Sequence, residues 1–416
     1  MSLIKRSGIY LSSNILNALV PFILLPILTR ELTPGEYGQI AIFQTLVSGL
    51  AAFTGLNTIG AATLKYYDKN SQNILDKYNS MCMLLLIASA IFLFVLAMFF
   101  SGTLGQWLEI PSWWVYLAIL ISSGTFIIQF RLTQWQIRGQ AITFGVIQVS
   151  QSISLLLITL WFLYGLHQGM ESRINALFLV TIVYSLICIV CFYKDKLLAI
   201  NKINFDFVKD AWSYGVPLIP HVVGIFLLSS LDRVVINTKL GSGSAGIYML
   251  GVQLGLSMVV VFDALNKALL PWLFRVLAEN SLGQIKKVVR FTYLYFLVLL
   301  FLGLLSFVVG PYVINIVAGK EFTQATTIIG WLCLGQAFNG MYLMVTNYIF
   351  YAKATGRLSL ITITCGIVNV LLLIVMISDY GIVGASVAFA SSMLIRFLCT
   401  WWLAVKVCGF SWSLRA

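Results

Sequence analysis

Residues Leu28–Phe43 read LTRELTPGEYGQIAIF, a stretch in which one long apolar run stops in charge, Pro and Gly before another begins. A near echo stands at Ile236–Gly251, INTKLGSGSAGIYMLG. Leu32 matches Leu240, Gly35 matches Gly243 and Gly38 matches Gly246, all at an offset of 208 residues, half of the 416-residue chain. A repeat at half the chain length points to a duplicated architecture. Each copy marks the turn between two apolar runs, where Gly is expected to serve a tight reversal in a structural role.

Working outward, 60% of the residues are hydrophobic and only 10% charged, against roughly 25% charged in soluble domains. Apolar runs long enough to cross a bilayer, about 20 helical residues, recur along the whole chain and leave no large soluble domain. The chain therefore reads as an all-α polytopic membrane protein. Its net charge of +12 comes from Lys and Arg spread thinly through the loops, a pattern of membrane topology and not of nucleic-acid binding. The seven cysteines lie in or at the ends of apolar runs, so no extracellular disulfide framework is implied. Cys188 and Cys191 form a CxxC inside such a run, where packing is the expected role. Lys5 and Arg6 precede the first run, which has span length and no A-x-A-like cleavage site, so it is expected to stay as the first span.

Runs bounded by charges and turn residues predict twelve spans. Six lie near 8–28, 37–61, 80–100, 113–130, 141–163 and 174–193; six more lie near 211–231, 245–269, 291–317, 324–351, 359–378 and 382–404. The predicted organisation is an N-terminal six-helix bundle, 1–193, a cytoplasmic linker, 194–210, and a C-terminal six-helix bundle, 211–416. With the N-terminus inside, nineteen Lys and Arg fall on the cytoplasmic side and five opposite, which by the positive-inside rule places both termini in the cytoplasm. An even span number per half makes the copies parallel repeats about an axis along the membrane normal, free to rock around a central cavity. The outer loops are all short, which argues against an enzyme, such as a glycan polymerase or acyltransferase, that presents catalytic groups outside.

Four segments carry a family resemblance. YGVPLIPHVVGIFLLSSLDRVVINTKLGSGSAGIYMLGVQLG (Tyr214–Gly255) and PILTRELTPGEYG (Pro26–Gly38) resemble the seventh-span and first-span turns of bacterial polysaccharide repeat-unit flippases, members of the multidrug/oligosaccharidyl-lipid/polysaccharide exporter superfamily. WQIRGQAITFGVIQV (Trp135–Val149) is similar to their basic inner loop, and NVLLLIVMISDYGIVGASVA (Asn369–Ala388) to the turn between their last two spans. The last segment departs from the pattern: Ser378 and Asp379 stand where Pro is common, and a second Asn is missing. The resemblance implies an inner-membrane flippase for undecaprenyl-diphosphate-linked oligosaccharide, the precursor of O-antigen or a similar surface glycan. It also implies a proton or sodium ion as coupling ion, and a polysaccharide polymerase and chain-length regulator as partners. A drug or cation antiporter of the same superfamily is the alternative. No P-loop and no metal or nucleophile cluster stands in the sequence, so no other cofactor is expected.

An ionisable group inside a span is a functional candidate by default. Asp263 and Lys267 are four residues apart on one helix face; they either neutralise each other or divide the work, Lys267 holding the cargo diphosphate and Asp263 a coupling cation. Arg396 lies about 14 residues into the last span, roughly 21 Å of helix, where a cavity or a buried partner is expected. Arg131 and Arg138 flank an inner loop rich in Gln and are candidates for gathering an anionic headgroup, with positive-inside placement as the plain alternative. Asp232 and Arg233, like Arg30, lie near the outer surface, as an interfacial ion pair or an outer gate. His221 is a candidate coupling group, its unperturbed pKa being about 6.5, or a packing residue. Pro21, Pro26, Pro217 and Pro220 make the first and seventh spans the expected bending elements.

Overall fold

The computed structural model describes residues 3–68, 74–199, 203–279, 282–352, 354–408 and 412, among which there is no β-strand. Lys69, Lys202, Lys353 and Arg415 of the charge count lie outside the described residues. All-helical architecture follows from the composition, because a segment in lipid must satisfy every backbone N–H and C=O internally.

The helices are α1 (Leu3–Glu31), α2 (Pro34–Ala51), α3 (Thr58–Tyr67), α4 (Leu75–Leu108), α5 (Trp113–Ile137), α6 (Ala141–Leu160) and α7 (Glu171–Lys194). They continue with α8 (Phe205–Gly215), α9 (Ile219–Ser229), α10 (Leu231–Leu240), α11 (Ser242–Glu279), α12 (Leu282–Val317), α13 (Ile329–Tyr351) and α14 (Thr355–Cys408). By length and composition, nine helical stretches among the described residues suffice to cross a membrane, or eleven when two bent pairs each count as a span. The expected twelve requires α14 to be read as two legs. Its 54 residues come to about 81 Å at 1.5 Å per residue, and Gly381, at φ 56° and ψ −137°, interrupts the helical backbone midway.

Two spans expected as continuous, the second and the tenth, are broken; the tenth bends by 56° between a 3-10 stretch, Lys320–Thr327, and α13. The second bends by 53° between α2 and α3, where Gly55, Leu56 and Asn57 all have positive φ. The polar groups at this break find local partners: the Gly55 N–H donates to Ser89 Oγ at 2.9 Å, and Ser122 Oγ donates to Thr54 Oγ1 at 2.8 Å. A Cβ on Gly55 would meet the Phe126 ring at 2.2 Å, so the site needs glycine for space as well as for φ. The seventh span begins earlier than predicted. Asn204 caps α8, its side chain accepting from the N–H groups of Asp206 and Phe207, so part of the predicted linker is helix. A 3-10 turn at Val216–Leu218, containing Pro217, then leads into α9.

Two compact units emerge, with boundaries other than the predicted ones: residues 1–24 with 39–223, and residues 25–38 with 224–416. Helix α1 is thus shared between them, dividing between Pro21 and Pro26. In unit 1 the core forms around Tyr78, Phe130 and Phe192. In unit 2 it forms around Phe262, Met344, Val345 and Tyr348.

Candidate functional site

In unit 2 the two echoed motifs are packed on each other. Thr33 and Glu36 form a capping box at the start of α2: the Glu36 carboxylate accepts from the Thr33 N–H at 2.9 Å, and the Glu36 N–H reaches Thr33 Oγ1 at 3.3 Å. Pro34 occupies the first helical position, where its missing N–H costs nothing. Gly38 lies four residues on, and a Cβ there would fall 1.9 Å from the Ser242 carbonyl oxygen. Reciprocally, a Cβ on Gly246 would fall 2.0 Å from the Pro34 oxygen. Pro34 and Ser242, like Gly38 and Gly246, are 208 apart, so the contact is the repeat's own two-fold. The matched glycines Gly38 and Gly246 therefore serve close helix approach and not the expected reversal; the turn glycine is Gly241, at φ 82°.

Residues 25–38 belong to unit 2 because further bonds hold them there. Tyr37 donates its hydroxyl to Gln253 Oε1 at 2.6 Å, and the Gly319 N–H donates to Thr29 Oγ1 at 3.3 Å. Arg30 Nη2 donates to the Ile316 carbonyl at 3.0 Å, where a cation suits the exposed carbonyls at the end of α12. Arg30, a gating candidate, is thus a helix cap in this conformation, on the rim of a polar cavity of about 560 Å³ that Lys320 and Glu321 also line.

Asp232 and Arg233 are not an exposed interfacial pair. Both are buried, Asp232 to 3% exposure. The carboxylate accepts from the Tyr248 hydroxyl at 2.7 Å and from the Arg233 backbone N–H at 2.9 Å. Among the described residues, no carboxylate lies within ion-pair distance of the Arg233 guanidinium.

The two cations deeper in unit 2 differ. Lys267 Nζ lies 2.5 Å from Asp263 Oδ2, one turn away on α11, the self-neutralising arrangement. Next to it, Asn347 Nδ2 on α13 donates to Asn266 Oδ1 at 2.7 Å. Arg396, on the second leg of α14, has no carboxylate within ion-pair distance among the described residues. Its guanidinium lies over the Tyr342 ring at 3.6 Å, and Nη1 donates to Asn339 Oδ1 at 3.4 Å, with Asn339 Nδ2 in turn on Gln336 Oε1 at 3.3 Å. Its Nε is buried without a partner. A cation over an aromatic face, supported by amides and left without a counter-charge, is equipped to meet an anion. Sequence reasoning found Arg396 and missed Gln336, Asn339 and Tyr342, whose spacing on an apolar helix reads as packing.

In unit 1, Arg131 is fully buried, ion-paired with Asp195 and held over the rings of Trp135 at 4.3 Å and Phe192 at 5.0 Å. It does not present its charge to a headgroup here, which corrects that expectation: the same apolar rings that fill the core exclude solvent from it. Arg138 lies over the Tyr66 ring at 5.3 Å and donates to Gln134 Oε1 at 3.4 Å. His221 is half-buried in α9, next to Pro220. A network that sequence reasoning missed ties α8 to α4: Tyr78 donates to Asp210 Oδ2 at 2.8 Å, with Lys65 at 3.7 Å from the same oxygen. Among the described residues no group of three His, Cys, Asp or Glu is placed to hold a metal, and the cysteines, Cys188 and Cys191 included, are free.

Such a molecule, a helical membrane protein with a half-chain repeat and charges inside its spans, is of the transporter class. The chain belongs to the polysaccharide biosynthesis protein family, whose model matches residues 3–277. It is 29% identical to an uncharacterized membrane protein of Haemophilus influenzae, over 86% of each chain. It is 21% identical to a probable low-salt glycan biosynthesis flippase, Agl15, of Haloferax volcanii, over 94% of this chain and 82% of that one. Its fold is that of the lipid II flippase MurJ in an inward closed conformation, at a TM-score of 0.74 and 16% identity, covering 97% of this chain and 87% of the other.

Proposed function

We propose that this protein is a flippase that carries undecaprenyl-diphosphate-linked oligosaccharide, the precursor of O-antigen or a similar surface polysaccharide, from the cytoplasmic to the outer leaflet of the bacterial inner membrane. The observation that carries this reading is Arg396, an intramembrane cation left open to an anion, in a chain of the polysaccharide biosynthesis family. A lipid diphosphate bears roughly two negative charges, and an inside-negative potential favours the outward movement of each by about 2.3 kcal/mol per 100 mV. The protein's task is then to lower the desolvation barrier, with the polyprenyl tail remaining in lipid. Arg396 supplies the compensating charge. Lys267 contributes less, because Asp263 already neutralises it.

Alternating access, through rocking of the two halves, delivers the cargo, and Asp263 and Asp232 are the carboxylates available to a coupling proton or sodium ion. A polymerase and a chain-length regulator would take the product. A drug or cation antiporter is disfavoured by Arg396, whose charge repels a cationic cargo.

The test is carried out on cells lacking the protein, in which complete lipid-linked repeat units are expected to accumulate on the cytoplasmic leaflet. Wild type clears them. A well-expressed Arg396→Ala variant is expected to be slower by at least about tenfold, the effect of losing roughly 1.5 kcal/mol of charge-assisted bonding. Units that reach the outer leaflet and stall there unpolymerised would instead mark a polymerising enzyme.

A further inference from the structure

Unit 1 exposes two kinds of helix face. On α4 between Ile87 and Phe100, and on α7 between Leu179 and Val190, every exposed residue is apolar, as a face against lipid must be. On α5 the only exposed positions between Val115 and Trp135 are Thr125 and Gln129, one turn apart. On α1, Asn14 and Asn17 are exposed, with Leu11, Ile15, Leu16 and Leu19 exposed on its other flank. Asn17 lies nine residues into a span that starts near Gly8, roughly 14 Å along the helix axis and close to the middle of a core about 30 Å thick. An amide exposed to hydrocarbon at that depth lacks the partners it requires, so this flank of α1 faces water.

Beside it runs a polar seam between α1 and α6. Gln148 Nε2 donates to Asn14 Oδ1 at 3.0 Å, and Ser152 Oγ donates to Asn17 Oδ1. Gly145 lets the helices approach, since a Cβ there would fall 2.6 Å from Ser13 Oγ. These bonds use the oxygens of Asn14 and Asn17 and leave both Nδ2 groups without acceptors among the described residues. Gln148 Oε1 is buried without a partner. Exposed donors and a buried, unsatisfied acceptor thus lie side by side. No Asp, Glu, Lys, Arg or His occurs on α1 from Gly8 to Thr29 or on α6, so an ion entering here would find no counter-charge on either helix. A neutral ligand that both donates and accepts, as a sugar hydroxyl does, matches the seam.

We infer that the α1–α6 seam of Asn14, Asn17 and Gln148 is a binding surface for the uncharged sugar hydroxyls of the glycan. The inference rests on the flippase reading and deepens it: the seam recognises the sugar, and Arg396 of unit 2 recognises the diphosphate.

The test uses the full chain in proteoliposomes and two cargoes, undecaprenyl diphosphate bearing a neutral tetrasaccharide or only its first sugar. Asn14→Leu with Asn17→Leu is expected to slow the tetrasaccharide cargo about tenfold, a loss of roughly 1.4 kcal/mol, while the single-sugar cargo stays within about twofold on the same scale. Asn14→Gln with Asn17→Gln, which keeps the amides, should restore most of the tetrasaccharide rate. Arg396→Gln should slow both cargoes alike. Equal loss on the two cargoes with the Leu variant, or no loss on either, overturns the sugar-binding role while leaving the flippase reading standing. A wild-type protein that moves neither cargo overturns the flippase reading, and this inference with it.

Discussion

The two corners built from the repeated motif share a backbone contact and differ in the ionisable groups buried beside it. At the offset of 208, Gly38 and Gly246 lie reciprocally against Ser242 and Pro34. Yet where the second corner buries Asp232, Arg233 and Tyr248, the first has Leu24, Leu25 and Ile40, all buried and apolar. The duplicated element retained is the helix crossing, and the ionisable cluster belongs to one copy alone. The two corners are therefore equivalent in this contact and different in their chemistry. The largest effect is expected at the shared element. Gly38→Ala and Gly246→Ala each drive a Cβ into a carbonyl oxygen of the facing backbone, which has no rotamer to yield, and each should cost about 3 kcal/mol, read as a lowered thermal midpoint in detergent. Gly243→Ala, whose Cβ meets nothing within 4 Å, should be neutral or stabilising by up to about 1 kcal/mol. A similar loss at Gly243 would break the idea that contact, and not the turn, demands glycine here.

The next effect concerns the element that differs. Tyr248→Phe removes a neutral donor from a buried carboxylate and is expected to cost about 2 kcal/mol. Copying the first corner into the second, by Asp232→Leu, Arg233→Leu and Tyr248→Ile together, removes the three polar side chains of the cluster at once. Replacing a buried charged cluster with apolar side chains is often neutral or stabilising, so the triple variant should melt close to wild type and well above any of its single variants. Its transport should nonetheless fall, since the flippase reading gives Asp232 a coupling role. A triple variant that is stable and fully active would make the cluster a remnant with no part in function.

This contrast also shows how much was legible in the sequence. Long apolar runs, the half-chain echo and the sparse intramembrane charges carried the helical membrane fold and pointed to Arg396, because a charge at that depth has few uses. What the charges touch was not legible. Arg131 and Arg396 look alike as letters, but Asp195 pairs with the first and is 64 residues away, while the second lies on Tyr342; only packing separates them. The break at Gly55 to Asn57 is hidden because these residues carry no charge and no Pro to interrupt the apolar run. Asn14 and Asn17 were passed over because uncharged amides do not interrupt a hydropathy reading, although their depth in the first span was already visible. Gly38 and Gly246 were found for a reason that the geometry replaces, since a repeated glycine indicates that a side chain is forbidden without saying what forbids it.

The smallest expected effects lie at the bonds made by the first corner alone, and they sharpen the comparison from the other side. Tyr37 has Ala245 at its repeat position, and Arg30 has Thr238, so neither bond is part of the two-fold contact. Tyr37→Phe loses the hydroxyl bond to Gln253 while keeping the edge contact with Phe322 at 5.7 Å, a cost of about 1 kcal/mol. Arg30→Ala uncaps the end of α12 and should cost about 0.5 kcal/mol, with the loss shrinking as salt is added, because the charge lies exposed. If these bonds only fasten residues 25–38 to unit 2, both variants melt slightly earlier and transport at the wild-type rate. If they also hold a state that must open during the cycle, both should transport faster than wild type despite being less stable, and that reversal of sign separates a fastening from a latch.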